Sequence, residues 1–369
     1  MTKSKPAILR ILKRSKPLLV GFMPEADCAP LIVAQELGLY KKYGLAVELR
    51  RELSWRNIQD KITRRQLDAA HAPATLPFLI NLGLGPEKCA CVTGLVLSLQ
   101  GNAITISREL WNRGVRDAES LGRHIMRDKR TYTFGVGCPL GPQYSLLCQW
   151  LRSAQIPFHI KVRIEPAAPT QMFPLLKMGY LDGYCVGEPW SALAVQAGAG
   201  VCLATSAELA PFHPEKVLLV RKDFAEQRRD EHERLIAALI DACAFCDQQE
   251  NRSPICDLLA LPQYVNVPVE CLEASLLEPK TSTAGPIRAL HGTNIFHDNS
   301  ANDPTAEKAA WVTGRLYEFL RWNARPAAIN HVFQRSAFLR AQEIMAPRAI
   351  HDSGPATPAR NRVRQKIPA

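Results

Sequence analysis

The strongest constraint on this chain is an alternation of short apolar runs and helical runs that occurs twice. Residues 18–23 (LLVGFM), Ala46–Leu49, Asp68–His71 and Cys89–Leu97 read as strands. Between them a helix ends near Gly38, and residues 57–64 and 76–82 read as two more. Asp27, just ahead of Ala29–Pro30, reads as the cap of the first helix. The pattern then restarts. Strands at Thr131–Val136, Ile160–Ile164, Gly183–Val186 and Val201–Ala204 alternate with helices at Gln143–Ser153, Pro169–Met178 and Pro189–Ala197. Apolar strands separated by helices bury both faces of a mostly parallel sheet. Asn102–Ile106 leaves the first unit, and Lys216–Val220 crosses back to it. Two α/β units joined by two crossings predict a two-lobed molecule. Its ligands are expected in the cleft, at carboxyl ends of strands and near helix N-termini. From Glu231 onward the chain reads as helices at 231–248, 254–259, 268–277, 305–323 and 335–345, with a loop at 280–304.

The expected division is a basic N-terminal extension (1–16), a first lobe with a helical C-terminal part (17–104 and 206–346), a second lobe (105–205) and a basic disordered tail (347–369). The net charge is +11, which first suggests nucleic acid as partner. Residues 1–16 supply +6 of it and residues 348–369 supply +4, leaving +1 for the body. A nearly neutral body argues against direct nucleic-acid binding. No apolar stretch approaches the ~20 residues that span a bilayer, so membrane insertion is not expected.

There is no G-x-G-x-x-G after the first strand, no P-loop, no G-x-S-x-G and no H-E-x-x-H. A cleft without a nucleophile–base set predicts a binder and not an enzyme, with no cofactor. Cys243/Cys246 and Cys89/Cys91 lack local partners that would complete a metal site, so they read as ordinary buried thiols and no metal is expected. The eleven cysteines follow no disulfide framework, and the basic start carries no secretory-type apolar run. Both point to the cytoplasm.

Several runs are specific. They are GFMPEADCAPLIVAQELGLYKKYGLAVEL (21–49), SWRNIQDKI (54–62), LDAAHAP (67–73), LSLQGNAITIS (97–107), QMFPLLKMGYLDGYCVGEPW (171–190) and HPEKVLLV (213–220). In these runs the chain resembles the nitrate/bicarbonate branch of the substrate-binding proteins of ABC importers, over roughly residues 18–345. The resemblance implies a periplasmic-binding-protein-like fold of type II. It also implies an anion pocket in which Trp55 is the family's tryptophan and Lys216 its single facing charge. Asn102 stands where the family usually has glutamine, and Gln143 where nitrate-binding members carry histidine. Glu188 of GEPW is expected to hold Lys216 or Trp55 in place, and His71 is a further candidate. Such a donor set suits nitrate or nitrite, which are planar, singly charged and accept hydrogen bonds only.

Without export, the same resemblance extends to the cytosolic NasS-type nitrate/nitrite sensor. It then implies a partner, an ANTAR-type transcription antiterminator of nitrate assimilation, released when the anion closes the lobes. The alternative is the substrate-binding component of a nitrate/bicarbonate/sulfonate-type ABC importer, with a transporter permease as partner. An upstream signal sequence would select it.

Overall fold

The computed structural model describes residues 16–85, 87, 89–156, 158–277, 294–320 and 327–346. Most of both basic ends lies outside these residues, as do positions 280–293 of the expected loop. Among these described residues eleven strands form two sheets. They are β1 (Leu18–Phe22), β2 (Val47–Arg51), β3 (Ala69–Pro73), β4 (Cys91–Val92), β5 (Val96–Leu99), β6 (Asn102–Ser107), β7 (Tyr132–Val136), β8 (Val162–Pro166), β9 (Gly183–Gly187), β10 (Gly200–Thr205) and β11 (Pro214–Arg221). The first sheet runs β2-β1-β3-β11-β4, with β5 also pairing β11. The second runs β10-β6-β9-β7-β8.

The two-sheet α/β class is as expected, but each sheet is mixed and not mostly parallel. β1, β2 and β3 are parallel, as are β7, β8 and β9. β11 runs antiparallel to β3, and β6 antiparallel to β9 and β10. The crossing strands enter each sheet from the opposite end, so they run against their neighbours. β11 is buried along its whole length, which is why its alternation is hidden in sequence.

Other local differences have clear causes. The expected strand 89–97 is broken, because Thr93 turns away and bridges to Phe333. The expected strand at Ile160 begins as the helix Phe158–Lys161. Two helices, Arg108–Asn112 and Ala118–Arg127, fill a stretch for which the sequence predicts no element. The second is opened by an Asp117–Ser120 capping box. Asp27 does not cap the first helix, whose N-cap is Cys28 with no side-chain bond.

One apolar cluster joins the two sheets. It runs from the helices Ala29–Glu36 and Arg229–Asp247 to Tyr184 of the second sheet and Trp190 of the helix that follows it. The Trp190 indole donates to the Pro24 carbonyl at 3.0 Å, and the Ala26 N–H donates to the Glu188 carbonyl at 2.7 Å. The chain passes between the sheets at 100–102 and again at 205–214. These passages are bonded to each other. Gln100 N–H donates to His213 O at 3.1 Å, and Phe212 N–H to the Gln100 side-chain oxygen at 3.0 Å. Gly101 takes φ +92°, a conformation that favours glycine. No helix among the described residues is long and apolar enough to cross a membrane.

Candidate functional site

Ser54 caps the helix Trp55–Thr63, its hydroxyl accepting from Asn57 N–H at 3.1 Å. Trp55, Ile58 and Ile62 recur at helical spacing on the buried face, so the cap places Trp55 in the first turn, facing the second sheet. Gly141 and Pro142 start the helix Pro142–Ser153, which sets Gln143 at its N-terminus. Asn102 is the first residue of β6, His71 lies in β3 and Lys216 in β11. Glu188 directly follows β9. All six are at most 2% exposed.

The Lys216 ammonium lies 5.4 Å over the Trp55 ring, and the Trp55 and His71 rings are 5.6 Å apart. Asn102 and Gln143 join this group through Gly137. Gly137 N–H donates to Gln143 Oε1 at 3.1 Å, and Gln143 Nε2 donates to Asn102 Oδ1 at 3.0 Å. A Cβ on Gly137 would lie 2.7 Å from Gln143 Oε1 and 2.9 Å from Trp55 Nε1. The Gly137 donor orients the Gln143 amide, which in turn orients Asn102 so that its NH2 is left over. Gln143 thus positions Asn102. The structure does not bring Glu188 to Lys216 or Trp55. Its carboxylate accepts from Ala192 N–H at 3.1 Å and from the Ser275 hydroxyl at 3.2 Å, and burial pushes it up to about 8.

Sequence reasoning missed three acids. Lys216 Nζ is 2.7 Å from Asp27, 3.0 Å from Glu215 and 3.1 Å from Glu25. Lys216 is therefore not a lone charge awaiting an anion. Asp27 also meets His71 Nε2 at 2.9 Å, and Glu215 meets His213 Nε2 at 3.0 Å. Glu215 and Lys216 are adjacent in β11, where alternation would send them to opposite faces. The ladder to β5 is irregular there, and such a bulge re-aims side chains. The signals were the two acids in the apolar run GFMPEADCAP and the charged pair opening PEKVLLV.

Burial raises the carboxyl of Asp27, yet Lys216 and His71 outweigh it and hold the group down at about 2. Glu215 is likewise lowered against burial by Lys216 and His213. Burial pushes Glu25 up to about 7 in spite of Lys216. It pushes His71 below its ordinary value in spite of Asp27, which favours the neutral ring. Lys216 is held well above its ordinary value by Asp27, Glu215 and Glu25 against burial.

Several buried polar atoms here have no hydrogen-bond partner. Among them the donors are Trp55 Nε1 and Asn102 Nδ2, and Glu25 Oε1, Glu188 Oε1 and His71 Nδ1 are others. Unpaired buried donors are costly and mark a place for a missing acceptor. On the outer side of Trp55 a cavity of about 450 Å³ is lined by Ser54, Trp55, Gly137, Leu140, Ala167 and Leu320. A larger one, about 610 Å³, lies elsewhere, at Arg229, Arg335 and Arg340. No group of three or more His, Cys, Asp or Glu among the described residues is arranged to hold a metal ion.

Residues 13–260 match the model of the NMT1-like family. The chain is 36% identical over 307 residues to the nitrate import ATP-binding protein NrtC of Synechocystis sp., covering 82% of this chain and 45% of that protein. It is 35% identical over 334 residues to the bicarbonate transport ATP-binding protein CmpC of the same organism, covering 89% and 49%. The chain thus spans about half the length of these relatives. The crystal structure of the periplasmic nitrate-binding protein NrtA from Synechocystis superposes with a TM-score of 0.82 at 22% identity, covering 90% of this chain and 89% of that one. The two-sheet architecture is therefore a periplasmic-binding-protein-like fold.

Proposed function

The chain belongs to the NMT1-like family, and from that premise we propose that it binds a small oxyanion of the nitrate or bicarbonate kind between its two sheets, as the substrate-binding part of an ABC importer. The observation that carries this reading is the pair of buried, unpartnered donors, Trp55 Nε1 and Asn102 Nδ2. The Trp55 ring lies 5.4 Å from the ammonium of Lys216, Asn102 is tied to Gln143 near Trp55 through Gly137, and the two donors come from different sheets' sides of the molecule. An ion with several acceptor oxygens satisfies both at once and links the two halves. The similarity to nitrate and bicarbonate transport proteins supports an importer over the sensor expected from sequence.

Calorimetry on the full chain with nitrate, nitrite, bicarbonate and methanesulfonate tests the reading. One site with heat from at least one of the inorganic ions is expected. No heat from any of the four overturns it.

One observation favours a second reading. All eleven cysteines are free, and ten of them are buried, a chemistry suited to a reducing compartment. In that setting the same binder works in the cytoplasm as a sensor, and anion occupancy releases an antiterminator of the ANTAR type. An apo protein that retains such a partner on a column, and loses it on adding nitrate, selects this reading. A partner held equally with and without nitrate rejects it.

A further inference from the structure

Three carboxylates around one ammonium make an unusual place for an anion. Asp27 and Glu215 each have a second partner, a histidine nitrogen at 2.9 Å and 3.0 Å. Glu25 has a single partner, the Lys216 ammonium 3.1 Å from its Oε2, and its Oε1 has none. It is the surplus acid of the cluster. It also lies against the strand next to Asn102, because a Cβ on Gly187 would lie 2.9 Å from its carboxyl carbon, and Gly187 pairs with Asn102 in the sheet.

We propose that this site takes its anion together with one proton, and that Glu25 is the residue that carries the proton. The inference rests on the anion-binding reading above and deepens it. With Glu25 ionised, an incoming anion would be a fourth negative group around one cation. With Glu25 protonated, that charge is gone and the carboxyl offers an O–H. The anion then meets three donors, from Trp55, Asn102 and Glu25. The same count disfavours doubly charged ions such as sulfate, so Glu25 also sets selectivity for single charge.

The groups facing Glu25 are Lys216 and Glu215 from β11, Asp27 and Cys28 from its own turn, and Glu188 from the segment after β9; His71 of β3 reaches it through Asp27. Of these, only Lys216 favours the ionised form. Burial, which pushes the Glu25 carboxyl up from its ordinary 4.5 to about 7, sets the window. Below it the proton is already present. Above it the proton must be taken up, and affinity falls roughly tenfold per pH unit.

The test is calorimetry of nitrate with the full chain from pH 6 to 8.5, in pairs of sulfonate-free buffers that differ in ionisation enthalpy. Uptake of about one proton per anion at pH 8, shrinking toward zero at pH 6, is expected. Glu25→Gln is expected to bind nitrate with no proton uptake and with affinity flat in pH. Nitrate binding by the wild type without uptake at pH 8 overturns the inference and leaves the anion site standing. Uptake that persists in Glu25→Gln removes Glu25 as its carrier. No nitrate binding at any pH, with binding of another ion in the panel, overturns the inference for nitrate alone. No binding of any ion overturns the site itself. Should Glu25→Gln fail to fold, the wild-type buffer pairs still decide.

Discussion

Trp55 separates two roles that a buried tryptophan usually combines. Its ring packs against Ile58, Ile62 and Leu76 in the first sheet's outer core and lies under the Lys216 ammonium, whereas its N–H bonds nothing. Trp55→Phe removes the donor and keeps most of the ring. The expected result is a loss of roughly 10- to 100-fold in anion affinity, as for a hydrogen bond to a charged group worth ~1.5–3 kcal/mol. The melting temperature is expected to move by no more than about 2 °C. Differential scanning calorimetry with and without nitrate checks both. A large fall in stability with affinity unchanged would assign Trp55 to packing alone. Lys216 is the opposite case. Removing one member of a buried ion cluster leaves the others uncompensated, at a cost of ~3–5 kcal/mol. A Lys216 variant that loses binding therefore reports on folding as well as on the ligand.

At the scale of elements, the site depends on how closely the turn after β7 approaches the helix Trp55–Thr63. Gly137 makes that approach possible, since a Cβ there would press on Trp55 Nε1 and Gln143 Oε1. The Gln143 amide is the end of a flexible chain and can yield, whereas the buried Trp55 indole must shift as a body, so Gly137→Ala is expected to fold with a lowered melting temperature. The yielding amide would release Asn102, and nitrate affinity is expected to fall by at least about tenfold, or ~1.4 kcal/mol. Titration of the variant against the wild type measures this. Much of the arrangement was legible in the sequence. Apolar runs broken by caps and prolines located most strands and many helices, though not Arg108–Asn112 or Ala118–Arg127; motif runs pointed to Trp55 and Asn102 and the family resemblance to Gln143, which the fold brings together. The acids were not legible. Asp27 before Ala29–Pro30 looks like a helix cap, and only the tertiary fold shows its carboxylate turned toward His71 and Lys216. Glu215 reads as facing away from Lys216 until the irregular ladder with β5 is known. Glu188 sits beside a motif tryptophan, but its bonds run to the helices Trp190–Gln196 and Val269–Leu276.

For the whole molecule, buried acids set how stability follows pH. Glu188 titrates near 8 in the fold, against an ordinary 4.5. Above about pH 4.5 the unfolded chain has lost this proton while the native one keeps it. The group thus costs progressively more stability as pH rises, until the native form also ionises near pH 8. Glu188→Gln removes the titration and keeps an oxygen for Ala192 N–H. Its melting temperature is expected to exceed that of the wild type by a margin that grows from pH 5 to 8, reaching several degrees. Scans at four pH values check it, and a constant margin would mean that Glu188 is ionised throughout. A last consequence follows from the two bonded passages between the sheets. They are the natural axis for any rotation of one sheet against the other, and they begin or end beside Asn102 and beside Glu215 and Lys216. Pivot and grip are thus cut from the same peptide. On the proposed reading, an anion shared by Asn102 on one side of that axis and Trp55 on the other ties the halves together, so its departure and their separation are coupled events.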